Sequence, residues 1–221
     1  ANIAIGLSTI PSQRVLGNLF YRGVAFKLPV FVGDTLIAKT SVVALRQNRI
    51  KPGRSASGMA VPNVEVSNQR NQAVLNFYRC PMLPCKDPEA KTGKNDDFDS
   101  IPDGFEFDKL EALVPDWNFK EFRPRQAPLQ IGQRFVIEAR DTVTSAPEVV
   151  RLTLNLAMTH LDSEKGGYAK RLVYGGHTIS LAAAQVSRAL PGLIAIICWF
   201  HCDHVAPVFE GDILRSEVLV N

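Results

Sequence analysis

The sequence predicts an α+β chain made of two copies of one unit, with antiparallel strands in each and a long helix in the second. Three observations predict it: an eight-residue motif that occurs twice, segments whose apolar residues alternate as in strands, and one segment whose apolar residues recur at helical spacing. The motif is P-V-F-x-G-D-x-L, at residues 29–36 and again at 207–214, with Asp34 and Asp212 lying 178 residues apart. Without a gap, the same offset sets apolar residues 15–21 against 193–199. What recurs is therefore a unit: an apolar strand, a Pro-bearing connection, a Gly-Asp turn and an alternating strand.

In the first copy the alternating strand covers residues 35–45, and two further strand candidates follow at 58–67 and 72–82. The polar turn N-Q-R-N between those two makes them neighbours in an antiparallel meander. In the second copy, residues 132–140 alternate as a first strand, 193–200 form an apolar strand and 213–220 an alternating one. A helix is predicted over residues 177–190: Gly175-Gly176 turns the chain, Ile179, Leu181, Ala182, Val186 and Leu190 share a face, and Pro191 stops it. Ala182, Ala183 and Ala184 make that helix thin enough for a sheet to wrap closely. A shorter helix starts at Ser145, where S-A-P-E has the form of a capping box with Pro in the first turn, and is expected to end near Met158.

These elements divide the chain into residues 1–83, a linker at 84–126, and residues 127–221. The linker is rich in Pro, Lys, Asp and Gly, with apolar anchors at Phe105, Leu110, Leu113, Trp117 and Phe119, and is expected to lie across the surface. The offset maps Ala1 onto Ile179, inside a helix, and Asn221 onto Val43, inside a strand, so both ends read as incomplete.

Composition narrows the function. Lys and Arg number 25 against 22 Asp and Glu, a net charge of +3 without a basic stripe, which argues against nucleic-acid binding. No apolar run approaches the roughly 20 residues of a membrane span, and the N-terminal residues lack the basic flank and cleavage site of a signal peptide, so a soluble, cytoplasmic chain is expected. Four cysteines do not make a disulfide framework and suit a reducing compartment. Cys198, Cys202 and His204 fall on one face of a strand, but a continuous strand lacks the tight turn that zinc sites favour, and no metal is expected.

Polar residues gather around the long helix. Asn155, His160 and Asp162 follow the shorter helix, within one loop of Gly175-Gly176-His177. At a helix start the amides of Gly176 and His177 lack intrahelical partners, and the dipole favours negative charge. Glycines there would let a ligand approach the backbone, a fitting place for a carbonyl oxygen that gains charge. His160, read as a loop residue, titrates in the range suited to acid/base work. Taken alone, such a histidine is commonly structural, and Asn155 and Asp162 are commonly cap or turn residues.

Residues 155–162 (NLAMTHLD) followed by 171–180 (RLVYGGHTIS) resemble the MaoC-like enoyl-CoA hydratase family, whose motif runs D-x-N-P-x-H-x-D and then turns into the long helix of a hotdog fold. The resemblance covers most of residues 13–82 and 130–216. It implies a tandem, or double, hotdog fold whose C-terminal half is catalytic and whose N-terminal half, with no histidine in residues 1–83, completes the tunnel. Within the family, residues 33–36, 45–48 and 171–180 are most similar to the mesaconyl-CoA hydratase (β-methylmalyl-CoA dehydratase) branch.

The resemblance implies reversible hydration of a 2-enoyl-CoA thioester, a branched dicarboxylic one in that branch. It places His160 on the catalytic histidine and Gly176 on the glycine whose amide polarises the thioester carbonyl. Asn155 stands where the family has its catalytic aspartate; an amide cannot take a proton from water, so Asn155 is read as orienting that water. Asp162, Arg171, Tyr174, Gly175 and His177 flank these residues and are assigned to substrate binding; Lys170, Arg171 or the basic residues 46–54 could meet the CoA phosphates. No cofactor is implied beyond the CoA of the substrate, and a homodimer is expected. Straight-chain or steroid-derived enoyl-CoA stays open as substrate. A thioesterase would need a carboxylate on the long helix, and residues 177–190 have none. A non-catalytic acyl-CoA-binding or scaffold protein would fit the missing aspartate.

Overall fold

The computed structural model describes residues 1–221 except 103, 104, 107, 108, 119, 121 and 123–126. Its elements are α1 (Asn2–Leu7), β1 (Gly17–Phe26), β2 (Leu36–Gln47), β3 (Ser57–Asn68), β4 (Ala73–Pro84), β5 (Arg134–Val136), β6 (Asp141–Thr142), α2 (Ala146–Leu152), α3 (Met158–Leu161), α4 (Gly175–Ala189), β7 (Cys198–Asp203), β8 (Ile213–Leu214) and β9 (Glu217–Leu219). The first copy's strands lie within about two residues of expectation, except that β1 begins at Gly17 and runs on to Phe26. They form a sheet of order β2-β3-β4-β1, which β7 of the second copy extends to five strands.

Alternation decides which face of this sheet is dry. Tyr21 and Val24 on β1, Val64 and Val66 on β3, and Leu75 and Phe77 on β4 are buried together against Ala4 and Ile5 of α1. Filling such positions contributes roughly 1.5–3 kcal/mol per large side chain. On the other face, Phe98 from the segment after β4 meets Phe20 edge to face at 6.5 Å and lies under Arg46 at 4.1 Å. Of the apolar anchors expected in this segment, Phe105 packs with its ring tilted against Phe200 at 5.7 Å; Phe119 lies outside the described residues.

The second copy's strands are shorter than expected. Residues 132–140 give only β5 and 213–220 only β8 and β9, because β5 pairs with β9 over three positions and β6 with β8 over two. Residues 193–197 precede the strand, since the ladder with β1 spans only the partners of residues 20–25. The helix from Ser145 stops at Leu152: Leu154 takes a left-handed conformation, φ +57°, which no helix interior allows. Ser145 caps it without a side-chain bond, so the capping box does not form. The long helix α4 starts at Gly175, two residues earlier than expected.

The repeat is visible as geometry. In both copies of P-V-F-x-G-D-x-L the aspartate closes the turn on the phenylalanine amide, Asp34 Oδ2 to Phe31 N at 2.9 Å and Asp212 Oδ2 to Phe209 N at 2.8 Å. The glycine between has φ +95° at Gly33 and +92° at Gly211, a region that favours glycine. The copies face each other about a two-fold relation. Asn2 and Ser180, equivalent under the offset, bond side chain to side chain at 2.7 Å between α1 and α4. In the β1–β7 ladder Arg22 pairs with His201, one residue from its own equivalent Phe200. Among the described residues no helix is long and apolar enough to cross a membrane.

Candidate active site

A cavity of about 430 Å³ opens where the two copies meet. Asn155, His160, Tyr174 and Gly175 line it from the second copy, Tyr21 and Arg79 from the first. The structure thus brings together four of the residues singled out from sequence.

The loop carrying Asn155 and His160 is shaped by its own backbone and clamped by the first copy. The left-handed Leu154 turns the chain inward, so that Asn155 and Ala157 are buried. Three contacts from the first copy hold it there. The Leu156 amide donates to Thr9 Oγ1 at 2.8 Å, the Met158 amide donates to the Gln13 carbonyl at 2.8 Å, and Gly6 of α1 packs on Thr153 so tightly that a Cβ would overlap the Thr153 carbonyl oxygen.

Asn155 Oδ1 accepts the Ala157 amide at 2.9 Å. The carboxamide oxygen is therefore engaged by the loop, and the NH2 is left as donor. His160 lies in the short helix α3, not in a loop, and is 7% exposed. Its Nδ1 meets the Leu172 carbonyl at 3.0 Å. A carbonyl can only accept, so the neutral ring carries its proton on Nδ1 and its lone pair on Nε2. Burial pulls the His160 pKa down to about 4, against the Leu172 carbonyl, which raises it, and with nearby His204, which lowers it further. The ring is neutral at pH 7, with its Nε2 lone pair unprotonated.

That shift predicts a pH dependence of stability. Unfolded, the imidazole titrates near 6.5; folded, near 4. Between these values the unfolded chain binds more protons, so the contribution is complete above about pH 6.5 and is lost as pH falls toward 4. Urea unfolding is expected to show about 2 kcal/mol less stability at pH 5 than at pH 7, a loss that a His160→Gln variant does not share in full.

The start of α4 differs from expectation in two ways. The His177 amide is not free: it donates to the Tyr174 carbonyl at 2.9 Å. The amides of Gly175 and Gly176, in the first turn, have no acceptor within the helix. The space beside the glycines is filled by protein, so close side-chain packing rather than ligand approach explains both. A Cβ on Gly175 would lie 2.6 Å from His204 Cε1, and one on Gly176 would overlap Asn2 Oδ1 and lie 2.6 Å from Tyr174 Oη. Gly175, not Gly176, lines the cavity.

Asp162, Arg171 and His177 do not line it. Asp162 ends α3, where its Oδ1 accepts the Glu164 amide at 2.9 Å. Arg171 is held by Glu210 at 3.0 Å and by the Leu161 carbonyl. His177 is buried, with Nδ1 lacking a partner.

Several lining residues escape the sequence reading of the site, His204 and Arg79 among them. His204, noticed only as a conceivable zinc ligand, stands edge-on to Tyr21 at 5.6 Å with its Nε2 buried and unpartnered; among the described residues no group of three or more metal-ligating side chains forms. Arg79 sits mid-strand in β4, where alternation gives no hint of a cavity. Asp203 also lines the cavity but is paired with Arg22 at 2.7 Å.

No family model matches the chain. Among curated proteins it is 30% identical to mesaconyl-CoA hydratase of Cereibacter sphaeroides, over 96% of the chain and 64% of that protein. It is 29% identical to β-methylmalyl-CoA dehydratase of Chloroflexus aurantiacus, over 96% and 63%. The chain thus spans less than two thirds of these relatives. Among solved structures it superposes on a Mycobacterium tuberculosis protein with a double hotdog fold, TM-score 0.82 and 42% identity, covering 98% of the chain and 66% of that one. A MaoC domain dehydratase structure from Chloroflexus aurantiacus gives TM-score 0.74 and 26% identity, over 98% and 64%. The fold is a double hotdog.

Proposed function

This chain belongs to the MaoC-like double-hotdog family, and from that premise we propose that it catalyses reversible hydration of a 2-enoyl-CoA thioester, with mesaconyl-CoA and β-methylmalyl-CoA as the pair. The observation that carries the proposal is a buried, neutral His160 lining one cavity with the Gly175 start of α4 and the Asn155 side chain.

In this reading the His160 Nε2 lone pair takes a proton from water as its oxygen adds to the β-carbon. Electron density moves through the double bond onto the thioester oxygen, where the amide of Gly175, the glycine of the α4 start that lines the cavity, stabilises the charge; one such donor is worth on the order of 100-fold in rate. The proton held by His160 then returns to the α-carbon, so water is added across the double bond. Asn155 orients the water by donating to its oxygen, the role left to a carboxamide whose own oxygen is engaged. The reaction uses no metal or redox cofactor. The same reading makes the chain a cytoplasmic homodimer, which light scattering checks for the assembly.

The test is loss of the enoyl-thioester absorbance of mesaconyl-CoA and, separately, of crotonyl-CoA. Preferential turnover of mesaconyl-CoA is expected. Turnover of crotonyl-CoA alone would move the substrate to straight-chain enoyl-CoA, and binding of both without turnover would leave an acyl-CoA-binding protein.

A further inference from the structure

Arg79 lies opposite Tyr21 in the β1–β4 ladder and is 3% exposed. Its Nη2 donates to the Ser8 carbonyl at 2.7 Å and to Ser12 Oγ at 2.6 Å, tying β4 to the segment after α1. Those neutral oxygens satisfy two donors and leave the charge unbalanced. Every ion pair among the described residues involves some other cation. Nε is buried without an acceptor. The ionisable groups that interact with the guanidinium are Tyr21, Tyr174 and Cys80, all neutral at pH 7 where burial raises their pKa.

A buried guanidinium stays charged, and leaving it without a counter-ion costs several kcal/mol. A hydrophobic side chain would seal this strand position at lower cost if packing were its only duty. The charge instead borders the cavity that also holds Asn155, His160 and Gly175, and it comes from the copy that lacks a histidine of its own.

We propose that Arg79 is a carboxylate-binding subsite: the free carboxylate at the far end of the acyl group docks on its guanidinium where Arg79 lines the cavity, restricting the substrates to thioesters of dicarboxylic acids. This rests on the hydratase reading and assigns its acyl selectivity to one residue of the first copy. Arg79 binds substrate and takes no part in the proton transfers.

The experiment compares mesaconyl-CoA with 2-methylcrotonyl-CoA, in which a methyl group replaces the free carboxylate, using the full chain and its Arg79→Met and Arg79→Lys variants. Wild type is expected to favour mesaconyl-CoA at least ~100-fold in kcat/KM, because a site built around a buried polar group rejects an analogue that leaves it unpaired. Arg79→Met is expected to lose that preference mainly through KM for mesaconyl-CoA, with 2-methylcrotonyl-CoA unchanged or improved. Arg79→Lys, which keeps the charge, is expected to recover part of it. Equal loss toward both thioesters would make Arg79 purely structural and overturn the proposal, as would a wild type that does not discriminate. Should Arg79→Met fail to fold, wild type and Arg79→Lys decide by the same ratio. Calorimetric binding of the two thioesters separates the two readings: tighter, Arg79-dependent binding of mesaconyl-CoA without turnover keeps the subsite and discards the hydratase, whereas equal binding discards the subsite.

Discussion

Replacing His160 by alanine is expected to lower kcat for hydration at least ~100-fold while the variant stays folded at pH 7, because a positioned general acid/base supplies roughly 100- to 10,000-fold. The argument is geometric. Nδ1 is committed to the Leu172 carbonyl, which leaves Nε2 as the ring's single basic position. Glutamine at 160 could keep a bond to that carbonyl but cannot exchange protons, so it is expected to be as inactive as alanine and closer to wild type in urea stability. Burial adds a signature: with the imidazole pulled down to about 4, the acid limb of kcat/KM should fall below about pH 5 rather than near the ordinary imidazole value of about 6.5. A variant retaining more than about a tenth of wild-type kcat would remove His160 from the mechanism.

Gly6→Ala is expected to be the most destabilising single-methyl change in the first copy, at least ~2 kcal/mol, since overpacking a filled interface typically costs about 1–3 kcal/mol and occasionally more. The methyl would overlap the Thr153 carbonyl oxygen and lie 3.2 Å from the Asn155 amide, both backbone atoms that cannot swing aside. Either α1 or the loop must move. Because that loop carries Asn155 and leads to His160, activity at room temperature is expected to fall more than the unfolded fraction explains, a comparison that parallel urea titrations and initial rates make directly. A Gly6→Ala variant with wild-type stability and rate would mean that α1 does not hold the loop.

Local signals carry well where one element decides its own shape. Both Gly-Asp turns, the β2-β3-β4 meander and the α4 helix are legible because their bonds are short-range in sequence or strictly periodic. Asn155 and His160 are legible through motif spacing. The second copy's strands are not, since alternation in residues 132–140 and 213–220 says nothing about how few partners pair with them. Arg79 and His204 are hidden for a related reason: contacts with residues far away in the chain bring them to the cavity. Arg79 meets Ser8 across 71 positions; His204 packs on Gly175. Conversely, Arg171 and Asp162 stand close to the motif in sequence, but their side chains are taken up by Glu210 and by a local turn.

The β1–β7 ladder, centred on the two-fold relation between the copies, makes association a first-order event. Two separate chains joined along such a ladder would dissociate on dilution, and their shared cavity with them; here the partner is tethered, and the cavity persists at any protein concentration. The tether also frees the copies from mirroring each other. In a pair of identical chains every substitution enters twice, once on each side of the axis, whereas here Asn2 can face Ser180 and a histidine-free half can face one holding all four histidines. Symmetry of architecture thereby coexists with a division of labour that no symmetric pair could encode.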